Sequence, residues 1–111
     1  MKFGAHFLPT YVPELDGPIT QFYRRMFEQI ESLERLGFDR AWVTEHHFGD
    51  YGGSFRDPLP FFVVLVVQTS RLPFGVGGGL LPLNNTLYLA DIYGMVVVLL
   101  YGWPDFCIRR G

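Results

Sequence analysis

Between Pro18 and Gly37, the residues Phe22, Met26, Ile30 and Leu33 recur at spacings of four, four and three, while Arg24, Arg25, Glu28, Glu31 and Arg35 fall on other faces. That is the period of an amphipathic helix burying one apolar stripe. Glu31 and Arg35 can support it as an i,i+4 pair, and Gly37 stands where such a helix takes a left-handed cap. Short apolar segments flank it, Lys2 to Phe7 on one side and Asp39 to Val43 on the other. Strand, helix, strand in that order is the repeating unit of a parallel sheet.

The remainder extends the alternation. A proline-bounded loop to about Pro18 follows the first strand, and a polar, glycine-rich loop from Thr44 to Arg56 follows the second. Asp57-Pro58 has the form of a helix start, an N-cap aspartate before a proline at the first helical position. The run Phe61-Phe62-Val63-Val64-Leu65-Val66-Val67 argues the other way, because it shows no helical period and its β-branched content reads as strand. A third strand is expected over Leu72 to Val76, with Gly75 to Gly79 as a tight turn at its end. Pro82 to Thr86 reads as a turn, Thr86 to about Tyr101 as a helix, and Asp105 to Ile108 as a fourth strand. The 111 residues suit one domain of α/β class with the pattern βαβαβαβ.

Fifteen of the twenty charged residues precede Pro58, so the second half is the part most in need of cover. A net charge of -2 offers no basic surface, which argues against a nucleic-acid partner. The apolar runs Leu59 to Val67 and Met95 to Tyr101 fall short of the roughly 18 residues of a membrane span. No apolar core of a signal peptide follows Met1-Lys2, and the single Cys107 fits a reducing compartment, so a cytoplasmic location is expected.

Four segments carry a resemblance: Lys2-Phe3-Gly4; Gly37-Phe38-Asp39 leading into Trp42-Val43-Thr44-Glu45-His46-His47-Phe48; Gly75 to Leu83; and Leu87-Tyr88-Leu89-Ala90-Asp91. Together they resemble the luciferase-like flavin-dependent monooxygenases. The resemblance implies a (β/α)8 TIM barrel, and since such barrels typically run to about 250 residues, residues 1–111 are expected to be its N-terminal part, about four strands and three helices. It further implies reduced FMN with O2, or in some branches a deazaflavin, acting on a small-molecule substrate. A flavin reductase to supply the cofactor and a dimer of the full-length protein are implied as well. By the same resemblance His46 lies near the flavin ring and assists proton transfer. Gly77 and Gly78 match a non-proline cis peptide beside the isoalloxazine, and Arg110 matches an arginine that helps hold the flavin phosphate.

The residue chemistry stands beside that inference. Histidine, with an unperturbed pKa of about 6.5, can give or take a proton near neutrality, and His46 follows a strand's C-terminal end, where barrels build active sites. Neighbours on an extended chain face opposite ways, so His47 reads as structural. Glu45 either orients a histidine or bonds to backbone amides. No His-x-x-x-His spacing joins Glu45, His46, His47 and His6, so no metal site is expected. Gly75 to Gly79 lacks both the P-loop ending and the dinucleotide-binding spacing. The competing reading is a non-catalytic partial barrel that self-associates or binds a partner, because four strands leave an open sheet edge.

Overall fold

The computed structural model describes residues 1–109 apart from 50, 53, 101, 103 and 104. Four strands, β1 (Gly4–Phe7), β2 (Arg40–Val43), β3 (Phe74–Leu80) and β4 (Asp105–Arg109), lie side by side in chain order, all parallel. Helices α1 (Pro13–Asp16), α2 (Ile19–Arg35), α3 (Pro58–Gln68) and α4 (Thr86–Leu99) occupy the crossovers. Among the described residues no helix is long and apolar enough to cross a membrane.

One face of the sheet carries the core. Ala41 and Val43 of β2 and Phe74 and Val76 of β3 are buried in one cluster with Phe22, Met26 and Ile30 of α2 and Phe61, Phe62 and Leu65 of α3. Strand side chains alternate, so His6, Trp42, Gly75 and Gly77 fall on the opposite face. In register, His6 pairs with Trp42 and Trp42 with Gly75. Burying a large apolar side chain stabilises by about 1.5–3 kcal/mol, and a surface ion pair such as Arg25–Asp16 by about 0–1 kcal/mol. The helix–sheet layer therefore dominates.

The stripe of α2 is buried as its spacing requires. Gly37 ends the helix at φ +79°, with Phe38 N–H donating to Leu33 C=O and Gly37 N–H to Glu34 C=O. Those two bonds form a Schellman cap, which only a left-handed residue completes without strain.

Two expectations change, and one conflict of signals is resolved. The loop before α2 contains the helical turn α1, closed by Val12 N–H donating to Asp16 Oδ2 at 2.8 Å. The run Phe61 to Val67 is helix rather than strand. Asp57 Oδ1 accepts from Leu59 N–H at 3.0 Å and Pro58 sits in the first turn, so the start signal decided the outcome. Phe61, Phe62 and Leu65 face inward at helical spacing, while Val63 and Val67 stay 64% and 85% exposed. Apolar residues on both faces had hidden the period. Finally, Gly75 to Gly79 lie inside β3, which runs to Leu80. The register against β4 shifts between Gly77 and Gly79, and Gly78 absorbs the extra residue at φ +113°.

Glu34, at the end of α2, ties that helix to the segment before β3. Its carboxylate accepts from the backbone N–H groups of Ser70 and Arg71 and from the Ser70 hydroxyl. Desolvation works to raise its pKa, but the backbone hydrogen bonds from Arg71, Ser70 and Leu72 and the Ser70 hydroxyl outweigh it, leaving the pKa below the ordinary 4.5. A carboxylate whose folded pKa is depressed stabilises the fold fully above its unfolded pKa and loses that contribution as pH falls through the folded value. Urea titrations of wild-type and Glu34→Gln protein should thus differ at pH 7 and converge below about pH 4. An equal difference at both pH values would show that the tie is not made by the ionised form.

Candidate functional site

The C-terminal ends of β1, β2 and β3 form a mouth on the sheet face away from the helices. Thr44 and Glu45 extend β2 into it and are both buried, 5% and 7% exposed. Glu45 Oε2 accepts from Leu80 N–H at 2.9 Å; Oε1 accepts from Asn84 Nδ2 at 3.0 Å and lies 2.7 Å from His47 Nε2. With the carboxylate oxygens as acceptors, His47 Nε2 carries the hydrogen. Asn84 Nδ2 also donates to Leu80 C=O at 3.0 Å. Glu45 accordingly does both things the sequence allowed, orienting a histidine and bonding a backbone amide, and it joins the ends of β2 and β3 to the turn before α4. His47 is a positioning contact, as alternation predicted.

His46 goes elsewhere. Its backbone N–H donates to Phe55 C=O at 2.9 Å, which fixes the loop after β2. Its half-buried ring packs over Gly49, where a Cβ would come within 2.9 Å of Cε1 and 3.4 Å of Nδ1. Among the described residues His46 Nδ1 is the buried side-chain nitrogen without a hydrogen-bond partner. Both the Gly49 seat and the orphaned nitrogen escaped sequence reasoning, since neither follows from residue type or spacing.

A second imidazole enters the mouth from β1. His6 Nε2 is hydrogen-bonded to Thr44 Oγ1, and both lie beside Gly77 on β3. The sequence placed His6 only in a discarded metal grouping, and nothing in its spacing announced Thr44 as partner. Gly77 lies beside His6 and Thr44, and no cis peptide joins it to Gly78 among the described residues. Gly78 has a positive φ of +113° at the register shift. Arg110, expected to bear on a phosphate, lies outside the described residues.

Behind the mouth, Tyr93 of α4 packs against Phe106 of β4 with ring centroids 4.1 Å apart. Burial pushes its hydroxyl well above the ordinary tyrosine range, and the Asp57 and Glu45 carboxylates act in the same direction. A cavity of about 650 Å³ lies away from the sheet face that carries His6. It is walled by Tyr11, Tyr23, Phe27 and Phe61 and meets the His46 loop through Gly49 and Phe55. It lies between the helix layer and the loops that follow β1 and β2.

The luciferase-like monooxygenase family profile matches residues 1–102. The alkanal monooxygenase alpha chain of a Kryptophanaron alfredi symbiont is 33% identical over 111 residues, all of this chain and 30% of the relative. The chain thus spans about a third of the length of the curated relatives it matches. The crystal structure of monooxygenase RslO1 from Streptomyces bottropensis superposes with a TM-score of 0.86 at 30% identity, covering 96% of this chain and 32% of that one. The oxygenating constituent of 3,6-diketocamphane monooxygenase from Pseudomonas putida, solved with FMN, gives a TM-score of 0.86 at 21% identity over 100% of this chain and 30% of its own, a likeness of fold. The four parallel strands and their helices are one arc of a TIM-type barrel.

Glu45→Gln replaces one acceptor oxygen by an NH2 group facing existing donors. The substitution should lower stability by about 1–3 kcal/mol, the cost of leaving buried partners unsatisfied, read from urea midpoints. A variant as stable as wild type would show that the network does not hold the strand ends together.

Proposed function

Because the chain belongs to the luciferase-like monooxygenase family, we propose that residues 1–111 are the N-terminal part of a barrel domain that oxidises a small organic substrate with reduced FMN and O2. The observation that carries this reading is His46, whose Nδ1 is buried at the strand ends with no partner among the described residues. Such an atom costs about 1–3 kcal/mol unless something pairs with it, and a catalytic or ligand-binding role accounts for it. The residues fit a flavin in two respects: this orphaned nitrogen, and the stretch Gly77–Gly78, where β3 presents backbone without side chains. The FMN carried by the diketocamphane relative favours FMN over a deazaflavin.

Bound at the mouth, reduced flavin would supply the electrons that activate O2. His46 gives or takes the accompanying proton at Nδ1, and Gly49 leaves its ring the room to do so. Glu45, through His47, Leu80 and Asn84, keeps the preceding backbone in place. Gly77 and Gly78 would allow close approach to the ring, and Arg110 would supply the charge that pairs with the phosphate. A flavin reductase is the expected source of the reduced cofactor, and a cytoplasmic setting suits that supply.

His46→Ala should lower kcat by about 10²–10⁴-fold, the usual share of a positioned acid or base, with the urea midpoint unchanged. The assay supplies reduced FMN, O2 and an alkanal as first test substrate. Full turnover in the variant would overturn the role of His46.

A second reading, association with another copy of the chain, is favoured by the outer helix layer. Val63, Val67, Val98 and Leu99 are 64%, 85%, 75% and 63% exposed, and an apolar groove of about 220 Å³ runs between α3 and α4. Later helices of a barrel would flank α4 and α2 and leave this groove uncovered. Contiguous apolar surface of this kind marks interaction sites. Sedimentation of Val67→Glu/Val98→Glu protein should report a smaller species than wild type, and an unchanged sedimentation coefficient would remove this surface from the assembly.

A further inference from the structure

His6 lies on the face of β1 opposite the core, beside Trp42 in register, and its imidazole spans three strands at their C-terminal ends. On β2 its Nε2 is hydrogen-bonded to Thr44 Oγ1, a hydroxyl on a residue only 5% exposed. On β3 it lies over Gly77. A Cβ at position 77 would stand 3.2 Å from His6 Nε2, 3.5 Å from Cδ2 and 3.7 Å from Thr44 Oγ1. Any side chain there meets the imidazole before it meets anything in the mouth.

The inner layers of a barrel are filled mainly by branched apolar side chains. A histidine in such a layer loses water at both ring nitrogens once the barrel closes, and each needs a partner. Thr44 serves one of them. Its hydroxyl can donate or accept, so the imidazole can hold its hydrogen on either nitrogen and present Nδ1 as an acceptor or a donor. Fixing one ring nitrogen to aim the other is how imidazoles are oriented toward a reacting or bound group.

We propose that His6 is a ligand-binding residue of the mouth that hydrogen-bonds through Nδ1 to the polar edge of the flavin ring, that Thr44 is its positioning residue, and that Gly77 is glycine to seat this imidazole. The proposal rests on the flavin reading of the mouth. It assigns the side-chain volume above the Gly77 Cα to His6 and leaves close approach to the flavin to the backbone of Gly77 and Gly78.

The test is FMN titration, followed by quenching of flavin fluorescence, with the full-length polypeptide and its variants. His6→Ala and Thr44→Val should each weaken FMN binding by about tenfold, the worth of a hydrogen bond whose loss leaves its partner unpaired. Thr44→Ser, which keeps the hydroxyl, should restore affinity; a merely structural threonine would not show that rescue. Gly77→Ala should lower both FMN affinity and the urea midpoint, and His6→Ala placed on top of it should recover the midpoint, because the clash is lost with the ring. Wild-type FMN affinity in His6→Ala, or a Gly77→Ala defect that persists in the double variant, would overturn the proposal and leave the flavin reading standing. Failure of the wild-type protein to bind FMN would overturn both.

Discussion

Glu45 takes its carboxylate out of water at the end of β2 and meets three donors there: the Leu80 backbone, the Asn84 amide and the His47 ring. A buried charge-bearing group is tolerable only when its oxygens are so occupied. Because the donors come from three places in the chain, satisfying one carboxylate fixes the end of β2 against the end of β3 and against the turn that starts α4. His47 is consumed by that network. The loop that carries His46 leaves from its edge, and the Phe55 carbonyl holds it from the other side.

The sheet separates two kinds of work by its alternation. Toward the helices, rings interlock: Phe62 stacks with Phe74 at 5.8 Å and Phe27 with Phe61 at 4.4 Å between centroids. That layer supplies most of the stabilisation. Toward the barrel interior the face carries Arg40, Trp42, His6 and Thr44 beside glycines. Lowest in the sheet, Arg40 of β2 pairs with Asp105 of β4, and the same guanidinium lies 5.7 Å from the Trp42 ring. Trp42 then covers Gly75, where a Cβ would come within 2.5 Å of the indole. Highest come His6, Thr44 and Gly77, next to the strand ends. The glycines of β3 are the complement of side chains on the strands beside them.

Much of this was legible before any coordinates. The period over Phe22 to Leu33, the glycine after it and the two flanking apolar segments determine a parallel βαβ unit, because each signal is local and they agree. The segment Glu45-His46-His47 was legible as a site through its resemblance and through its place after a strand. The run Phe61 to Val67 gave conflicting signals for a definite reason. A helix apolar on both faces shows no period, and only the Asp57 cap and the burial of Phe61, Phe62 and Leu65 reveal it.

The glycine-rich segment was misread for another reason. Glycine reports that something needs space or a positive φ without saying which neighbour, so Gly75 to Gly79 passed for a turn until Trp42 and His6 were seen over it. By itself the sequence determined the order of elements, the parallel class and the histidine after β2, since helical period, caps and breakers act within a few residues. Which donors join His47 on the Glu45 carboxylate, which nitrogen is left unpartnered, and which side chain fills the space above a glycine were decided by tertiary structure. Those outcomes depend on hydrogen bonds and contacts between residues some forty positions apart, such as His6 with Thr44 and Glu45 with Asn84, whose separations are 38 and 39. No local propensity encodes them.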